Sequence, residues 1–286
     1  MCFMNAAEKQ RLEAIACRIR MGVIEGTYAA KCGHPGGSLS AADLMTYLYF
    51  CEMDVRPDEP DWSERDRFVL SKGHAAPVLY AALAERGFFP REDLKTLRQI
   101  GSHLQGHPAL GKTPGVDMST GSLGQGVSAA VGMALGGKLG RRDYRVYTLL
   151  GDGEIAEGEC WEAMMSAAHY GLDNLVIIVD FNGLQIDGRV TDVMNPQPLD
   201  EKMRAFGLFT QVIDGHNFDE IENALERAKL EKSRPSGIIM NTVKGRGVSF
   251  MEDKAEWHGK ATNTEQYEQA MSELRAKLSL INGGVR

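Results

Sequence analysis

Cysteine, long apolar runs and blocks of positive charge are all scarce in this 286-residue chain, and each scarcity excludes something. Cys2, Cys17, Cys32, Cys51 and Cys160 form no CxxC pair, and an odd, scattered set fits a reducing compartment and argues against a zinc cage. No segment reaches the length of a membrane span. The N-terminus, MCFMNAAEKQRLEAIACRIR, interleaves charge with apolar residues and lacks the continuous apolar core of a secretory signal. No dense Lys/Arg block offsets a formal net charge of −7, which points away from nucleic acid. We therefore expect a cytoplasmic protein that engages neither membrane nor nucleic acid. Repeats, low-complexity tracts and linkers are absent, and so are the Gly-Lys-Ser/Thr of a Walker A loop and the HExxH of a zinc hydrolase.

What remains is ample apolar material for a core, arranged in alternating strand and helix patterns. Residues 6–31 read as an amphipathic helix with Leu12, Ile15, Ile19, Val23 and Ile24 on its apolar face. KCGHPGGSLS reads as a loop, with Ser40 as N-cap of the helix AADLMTYLYFCEM. Residues 54–66 are polar and turn-rich. RFVLSKGHAAPVLYAALAERG gives a short buried strand, a Gly-His corner and a helix, and residues 91–100 give a short polar helix. A long aperiodic loop, SHLQGHPALGKTPGVDMSTGSLGQG, precedes a Gly/Ala-rich helix over 125–140 and the strand RVYTLL. Loops of that length in compact domains are usually functional or disordered. Beyond Asn182 we expect a turn-rich loop, a helix near 199–207, the strand FTQVIDG, an amphipathic helix from Asp219 to Glu231, the strand SGIIMNTVKG and a terminal helix over 264–279. The expected fold class is α/β: one domain with a mostly parallel sheet and helices on both faces.

One stretch organises the rest: GDGEIAEGECWEAMMSAAHYGLDNLVIIVDFNGLQIDG, Gly151 to Gly188. An apolar strand ends at Gly151, and Gly-Asp-Gly lets the backbone turn tightly and approach a ligand. Ile155, Cys160, Trp161, Met164, Met165 and Ala168 follow at helical spacing, and Gly171 stands where that helix would stop. LVIIVD is too apolar to leave one face in water, and it runs straight into Asn182. In a parallel sheet both strand ends lie on the edge where ligands of open α/β sheets bind. A carboxylate (Asp152) and an amide oxygen (Asn182) suit a hard cation such as Mg²⁺ that also shares phosphate oxygens. The N–H groups after Asp152, at a helix start, would face the same anion. The pattern alone leaves a plain turn with a capping asparagine open.

Four glycine-associated histidines stand in expected loops: His34 (CGHPG), His74 (SKGHA), His107 (QGHPA) and His258 (EWHGK). Imidazoles near neutral pKa suit proton transfer and the binding of sugar hydroxyls. His103, His169 and His216 lack such settings and read as structural or surface residues. TGSLGQG, Thr120 to Gly126, suits a phosphate-cradling turn or a close approach of backbone to a flat cofactor. Lys244 at a strand end could meet a phosphate, or simply be solvated. Cys32 beside the CGHPG loop could be reactive; we read it as a buried, inert thiol.

As a set and in this order, these motifs resemble the amino-terminal, diphosphate-binding half of transketolase. GDGEIAEGECWEA…IVDFNGLQIDG is similar to its thiamine diphosphate motif, and CGHPGGSLSAADL, WSERDRFVLSKGHAAPVLYAAL, GHP, TGSLGQG and the WHG loop extend the resemblance over roughly residues 10–260. The resemblance implies that Asp152, Asn182 and the Leu184 carbonyl hold Mg²⁺, with Ca²⁺ able to substitute, on the diphosphate of thiamine diphosphate, assisted by Gly153 N–H. It implies that Gly121, Ser122, Leu123 and His74 lie along the cofactor. His34, His107 and His258 would serve the ketose hydroxyls as catalytic residues, and Glu157 and Glu162 would stand at an interface between subunits. The implied reaction transfers a two-carbon ketol unit from a ketose to an aldose. The family's GHPE reads GHPA here, so Ala109 lacks a carboxylate. Family enzymes also continue into a pyrimidine-binding domain and a smaller terminal domain. The resemblance thus implies that residues 1–286 are a single diphosphate-binding domain, one subunit of a split transketolase. Such a chain would be inactive alone and would assemble with a C-terminal subunit, forming a heterotetramer that acts on sugar phosphates. An unusual sugar (a branched pentose phosphate or a sulfo-sugar), or a related enzyme such as deoxyxylulose-phosphate synthase, is the alternative.

Overall fold

The structure, a computed structural model, describes residues 4–283. Cys2 lies outside the described residues. Five strands form one parallel sheet: β1 (Arg67–Leu70), β2 (Val146–Gly151), β3 (Leu175–Phe181), β6 (Phe209–Asp214) and β7 (Ser236–Asn241), in the order β1-β2-β3-β7-β6. The register sets Gly151 opposite Asp180 and Phe181 opposite Asn241, so the strands end level along one edge. A two-residue hairpin, β4 (Leu184–Gln185) with β5 (Gly188–Arg189), stands just beyond β3.

Alternation along each strand divides the core between the two faces. Tyr147, Leu149, Val176, Ile178, Ile238 and Met240 face one way. On that side they join side chains of α1 (Ala6–Ala30), α3 (Ala42–Tyr47), α4 (Ala76–Arg86), α9 (Phe218–Leu230) and α10 (Thr264–Gly283). Val146, Leu150, Leu175, Ile177, Val179 and Ile239 face the other way, against α5 (Gln125–Leu139), α6 (Gly158–His169) and α8 (Leu199–Ala205). Each fully buried aliphatic side chain contributes roughly 1.5–3 kcal/mol, so the two layers together fix the strand ends firmly. The α/β class, the mostly parallel sheet and helices on both faces all match the expectation. Among the described residues no helix is long and apolar enough to cross a membrane.

Several local expectations are corrected. The CGHPGGSLS segment is a loop only as far as His34: α2 (Pro35–Ser40) is a short helix opened by Pro35, which tolerates the first helical position because its missing N–H is not needed there. Its glycines serve close approach, since a Cβ on Gly36 would lie 2.8 Å from the Trp257 carbonyl oxygen. Ser40 therefore caps nothing; its hydroxyl donates to Asp180 Oδ2 at 2.6 Å, and Ala41 stands at the start of α3. The helix expected over residues 41–53 loosens into a π-turn at Leu48–Glu52. The 91–100 helix is a 3₁₀ turn over Arg91–Thr96. On α6 the buried residues are Cys160, Ala163, Met164 and Ala167, while Met165 is exposed.

Candidate functional site

The level edge of the sheet carries the corner on which the rest is built. Asp152 follows β2 and is 4% exposed. Its Oδ1 accepts from Gly153 N at 2.8 Å and its Oδ2 from Gly183 N at 2.6 Å, tying the end of β2 to the turn after β3. Asn182 Oδ1 accepts from Leu184 N at 3.1 Å, and the Leu184 carbonyl accepts from Lys244 Nζ at 3.1 Å. Asp152, Asn182 and Leu184 line one cavity of about 240 Å³, together with His34, His74, Gly121, Leu123, Gly153, Lys244 and His258. Burial, and then the neighbouring Asp180 charge, push the Asp152 carboxyl up to about 6.

Three of the four loop histidines converge there. The His34 and His74 ring centroids lie 5.2 Å apart, His34 and His258 5.4 Å, and His74 and His258 5.0 Å. Burial, with Arg98 nearby, lowers His34 to about 4; burial, with Lys244 beside it, lowers His258 to about 3. Burial and Lys72 hold His74 well below the usual imidazole range. All three are neutral at physiological pH, so each ring can offer one hydrogen-bond donor and one acceptor. His107 is exposed and does not line the cavity. Its ring lies against Gly121, where a Cβ would stand 2.7 Å from His107 Cδ2 and where φ is +139°, so two constraints demand glycine. Burial lowers His107 as well, with Arg98 adding to the effect.

Lys244 is not solvated. It is 2% exposed, and its Nζ stands 3.1 Å from His258 Nδ1. Burial lowers it to about 8; Asp152 opposes that fall and Lys72 adds to it. The lone pair of Nδ1 faces the ammonium, so His258 carries its proton on Nε2. Gly121 and Leu123 line the cavity, whereas Ser122 is exposed and does not. Gly153 lines it too, but its N–H is engaged by Asp152. Glu157 and Glu162 are exposed, outside the cavity, at the start and on the outer face of α6. Cys32 is half-buried rather than buried, with Arg98 Nη1 3.8 Å from its sulfur. Ala109 is half-buried and does not line the cavity.

Sequence reasoning missed the charged groups beneath the site. Lys72, buried just beyond β1, pairs with Asp180 and donates to the Gly37 carbonyl at 2.7 Å. Asp180 also accepts from Ser40 and Thr242 hydroxyls and from Asn182 Nδ2. Burial alone would raise Asp180; Lys72 and these hydrogen bonds reverse that and lower it. Glu154 accepts from Gly124 N and Gly151 N, each at 2.9 Å, and from the Ser71 hydroxyl, binding three loops to one carboxylate. A lone acid inside LVIIVDF was the available signal, because a charge in an apolar strand requires a partner. His216 is structural as read: Nδ1 lies 2.7 Å from Asp43 Oδ2, and Nε2 accepts from Val243 N at 2.9 Å.

Comparison with known proteins places this geometry. Residues 11–279 match the family described as "Transketolase, thiamine diphosphate binding domain". The chain is 49% identical over 242 residues to the 6-deoxy-6-sulfo-D-fructose transketolase subunit SqwG of Clostridium sp., covering 85% of this chain and 88% of that one. It is 41% identical over 272 residues to an apulose-4-phosphate transketolase subunit of Phocaeicola vulgatus, covering 95% and 96%. The crystal structure of transketolase from Campylobacter jejuni superposes with a TM-score of 0.88 at 32% identity, covering 97% of this chain but 46% of that one. The chain thus spans nearly the full length of two transketolase subunits and less than half of the longer enzyme. Fold and site together define an α/β domain of the thiamine-diphosphate-binding kind. The chain belongs to the transketolase family, as a transferase component of its N-terminal type.

Proposed function

We propose that this chain is the thiamine-diphosphate-binding subunit of a two-chain transketolase, moving a two-carbon ketol unit from a ketose to an aldose. The observation that carries the reading is the convergence of Asp152, Asn182 and the Leu184 carbonyl in one cavity with three neutral histidines. Among the described residues no cluster of three or more His, Cys, Asp and Glu side chains could form an all-protein metal cage. One carboxylate with an amide and a carbonyl oxygen fits Mg²⁺, or Ca²⁺, that completes its shell from phosphate oxygens and water.

Thiamine diphosphate, when bound, supplies the electron sink for breaking the bond beyond the ketol unit. Gly121, Leu123 and His74 would line it, Ser122 and His107 would stand at the rim, and Lys244 and Gly153 would lie beside the diphosphate. His34 and His258, neutral and half-buried, hold and move protons on substrate hydroxyls; His258 does so through Nε2, because Lys244 occupies Nδ1. His107 would do the same from the exposed side.

The two similar subunits are named for a sulfo-sugar and a branched sugar phosphate. Such ketoses share a reactive ketol end and an anionic far end. We assign the ketol end to this chain and the anionic end to a partner C-terminal subunit that carries the pyrimidine-binding domain, in a heterotetramer in the cytoplasm. The test is reconstitution: the chain and the product of the neighbouring gene, with thiamine diphosphate and Mg²⁺, are assayed separately and together against sulfo-fructose, apulose 4-phosphate and common ketose phosphates. Turnover only by the pair supports the reading, and substantial turnover by this chain alone overturns it.

A further inference from the structure

Gln185 stands at the end of the β4–β5 hairpin, opposite Gly188 and one residue beyond the Leu184 carbonyl. Its neighbour Leu184 is 6% exposed and Gln185 is half-buried, and strand alternation points the two side chains to opposite faces of the hairpin. There it lies on the Gly-Asp-Gly corner: a Cβ built on Gly153 would meet Gln185 Cβ at 3.1 Å and Oε1 at 3.5 Å. Gln185 lines the cavity with Asp152, Gly153 and Lys244. Its Nε2 is buried and has no hydrogen-bond partner.

On the cavity lining this orphan amide stands beside one other unpaired buried polar atom, His34 Nδ1. A primary amide offers two N–H donors, and a buried donor left unpaired is destabilising, so native structures rarely keep one. The other polar groups of the corner are engaged. Gly153 N–H and Gly183 N–H both donate to Asp152, Leu184 N–H donates to Asn182, and Lys244 donates to the Leu184 carbonyl. The backbone donor that the Gly-Asp-Gly motif offers to an anion is thus spent on the motif's own carboxylate, and the Gln185 amide beside it is free.

We propose that Gln185 is an anion-recognition residue of this site, its Nε2–H donating to an oxygen of the cofactor's diphosphate. The inference rests on the thiamine diphosphate reading and adds a ligand to the set of Asp152, Asn182 and Leu184. A neutral donor suits the position. Lys72 already pairs with Asp180, and Lys244 lies against the Leu184 carbonyl and His258, so Gln185 adds direction without another buried charge.

The test is binding rather than turnover. Thiamine diphosphate with Mg²⁺, and separately inorganic diphosphate with Mg²⁺, are titrated calorimetrically into the full chain and into the assembled pair. The variants are Gln185→Leu, which removes the donor at similar size, and Gln185→Glu, which replaces it with a carboxylate; equal thermal melts of the unliganded variants certify the fold. A hydrogen bond to a charged group predicts roughly a tenfold or greater loss of affinity for Gln185→Leu with both probes, and a larger loss for Gln185→Glu. Restoration toward wild type by Gln185→Asn supports donation as the cause. Wild-type binding with both variants within about threefold of it overturns the role of Gln185 and leaves the cofactor reading standing. Failure of the wild-type pair to bind either probe overturns both.

Discussion

Asp43 is buried against two partners at once: Arg20 donates to both its oxygens, at 3.0 and 2.6 Å, and His216 Nδ1 lies 2.7 Å away. Burial alone would raise this carboxyl, but the Arg20 guanidinium and the His216 hydrogen bond hold it well below the usual carboxylate range. Asp43→Asn would leave Arg20 buried without a counter-charge, and we expect a loss of roughly 3–5 kcal/mol in urea unfolding. Acid should act through the histidines as well. His34 and His258 sit at about 4 and about 3 when folded, against about 6.5 for a free imidazole. Between those values the unfolded chain binds more protons than the folded one, so stability rises with pH across that window and falls as pH drops from about 6.5 toward 4. Thermal melts from pH 7.5 to 4.5 should show this fall, and His34→Gln combined with His258→Gln should flatten it. These histidines were legible in the sequence because glycine flanks them in loops, as were Asp152 and Asn182 at strand ends. Lys72 with Asp180 was not, because the pair joins residues 108 positions apart and no local spacing reports such a contact.

At the scale of elements, the turn after β1 and the segment leading into α5 share the site through backbone contact. A Cβ on Gly73 would lie 2.6 Å from Gly121 N, and one on Gly126 would lie 2.6 Å from Ser71 Cα. Both neighbours are backbone and cannot swing aside. Gly126→Ala should push α5 off the end of β1, at a cost of roughly 1–3 kcal/mol of the kind seen for overpacked cores. Gly73→Ala should instead part the His74 corner from the Gly121 loop. Its expected signature is weakened thiamine diphosphate binding with a smaller change in melting temperature, checked by titration and melt on one preparation. The strands and long helices were readable from period and burial. The Pro35–Ser40 helix was misread because its glycines, taken as loop signals, serve the approach of the Trp257 backbone and the site beneath.

For the whole molecule, the exposed side of α6 bears on whether the chain works alone. Glu162 and Met165 are three positions apart on a helix and so share one face, with Glu157 at its start. Met165 is 58% exposed and Tyr170, at the end of the helix, 54%, although helical spacing in the sequence groups Met165 with the core residues. Neither glutamate has an ion-pair partner among the described residues. An exposed apolar side chain with an unpaired carboxylate one turn away on the same face is the kind of surface that a protein contact covers. We expect Met165→Glu to leave the melt of the isolated chain unchanged, because the side chain already stands in water. We also expect it to weaken association with the C-terminal subunit roughly tenfold or more, by replacing the exposed apolar side chain with a carboxylate one turn from Glu162. Sedimentation of the mixed subunits measures that loss directly. If association were unaffected, α6 would face solvent in the assembly, and the unpaired Glu157 and Glu162 would be a solvated helix face.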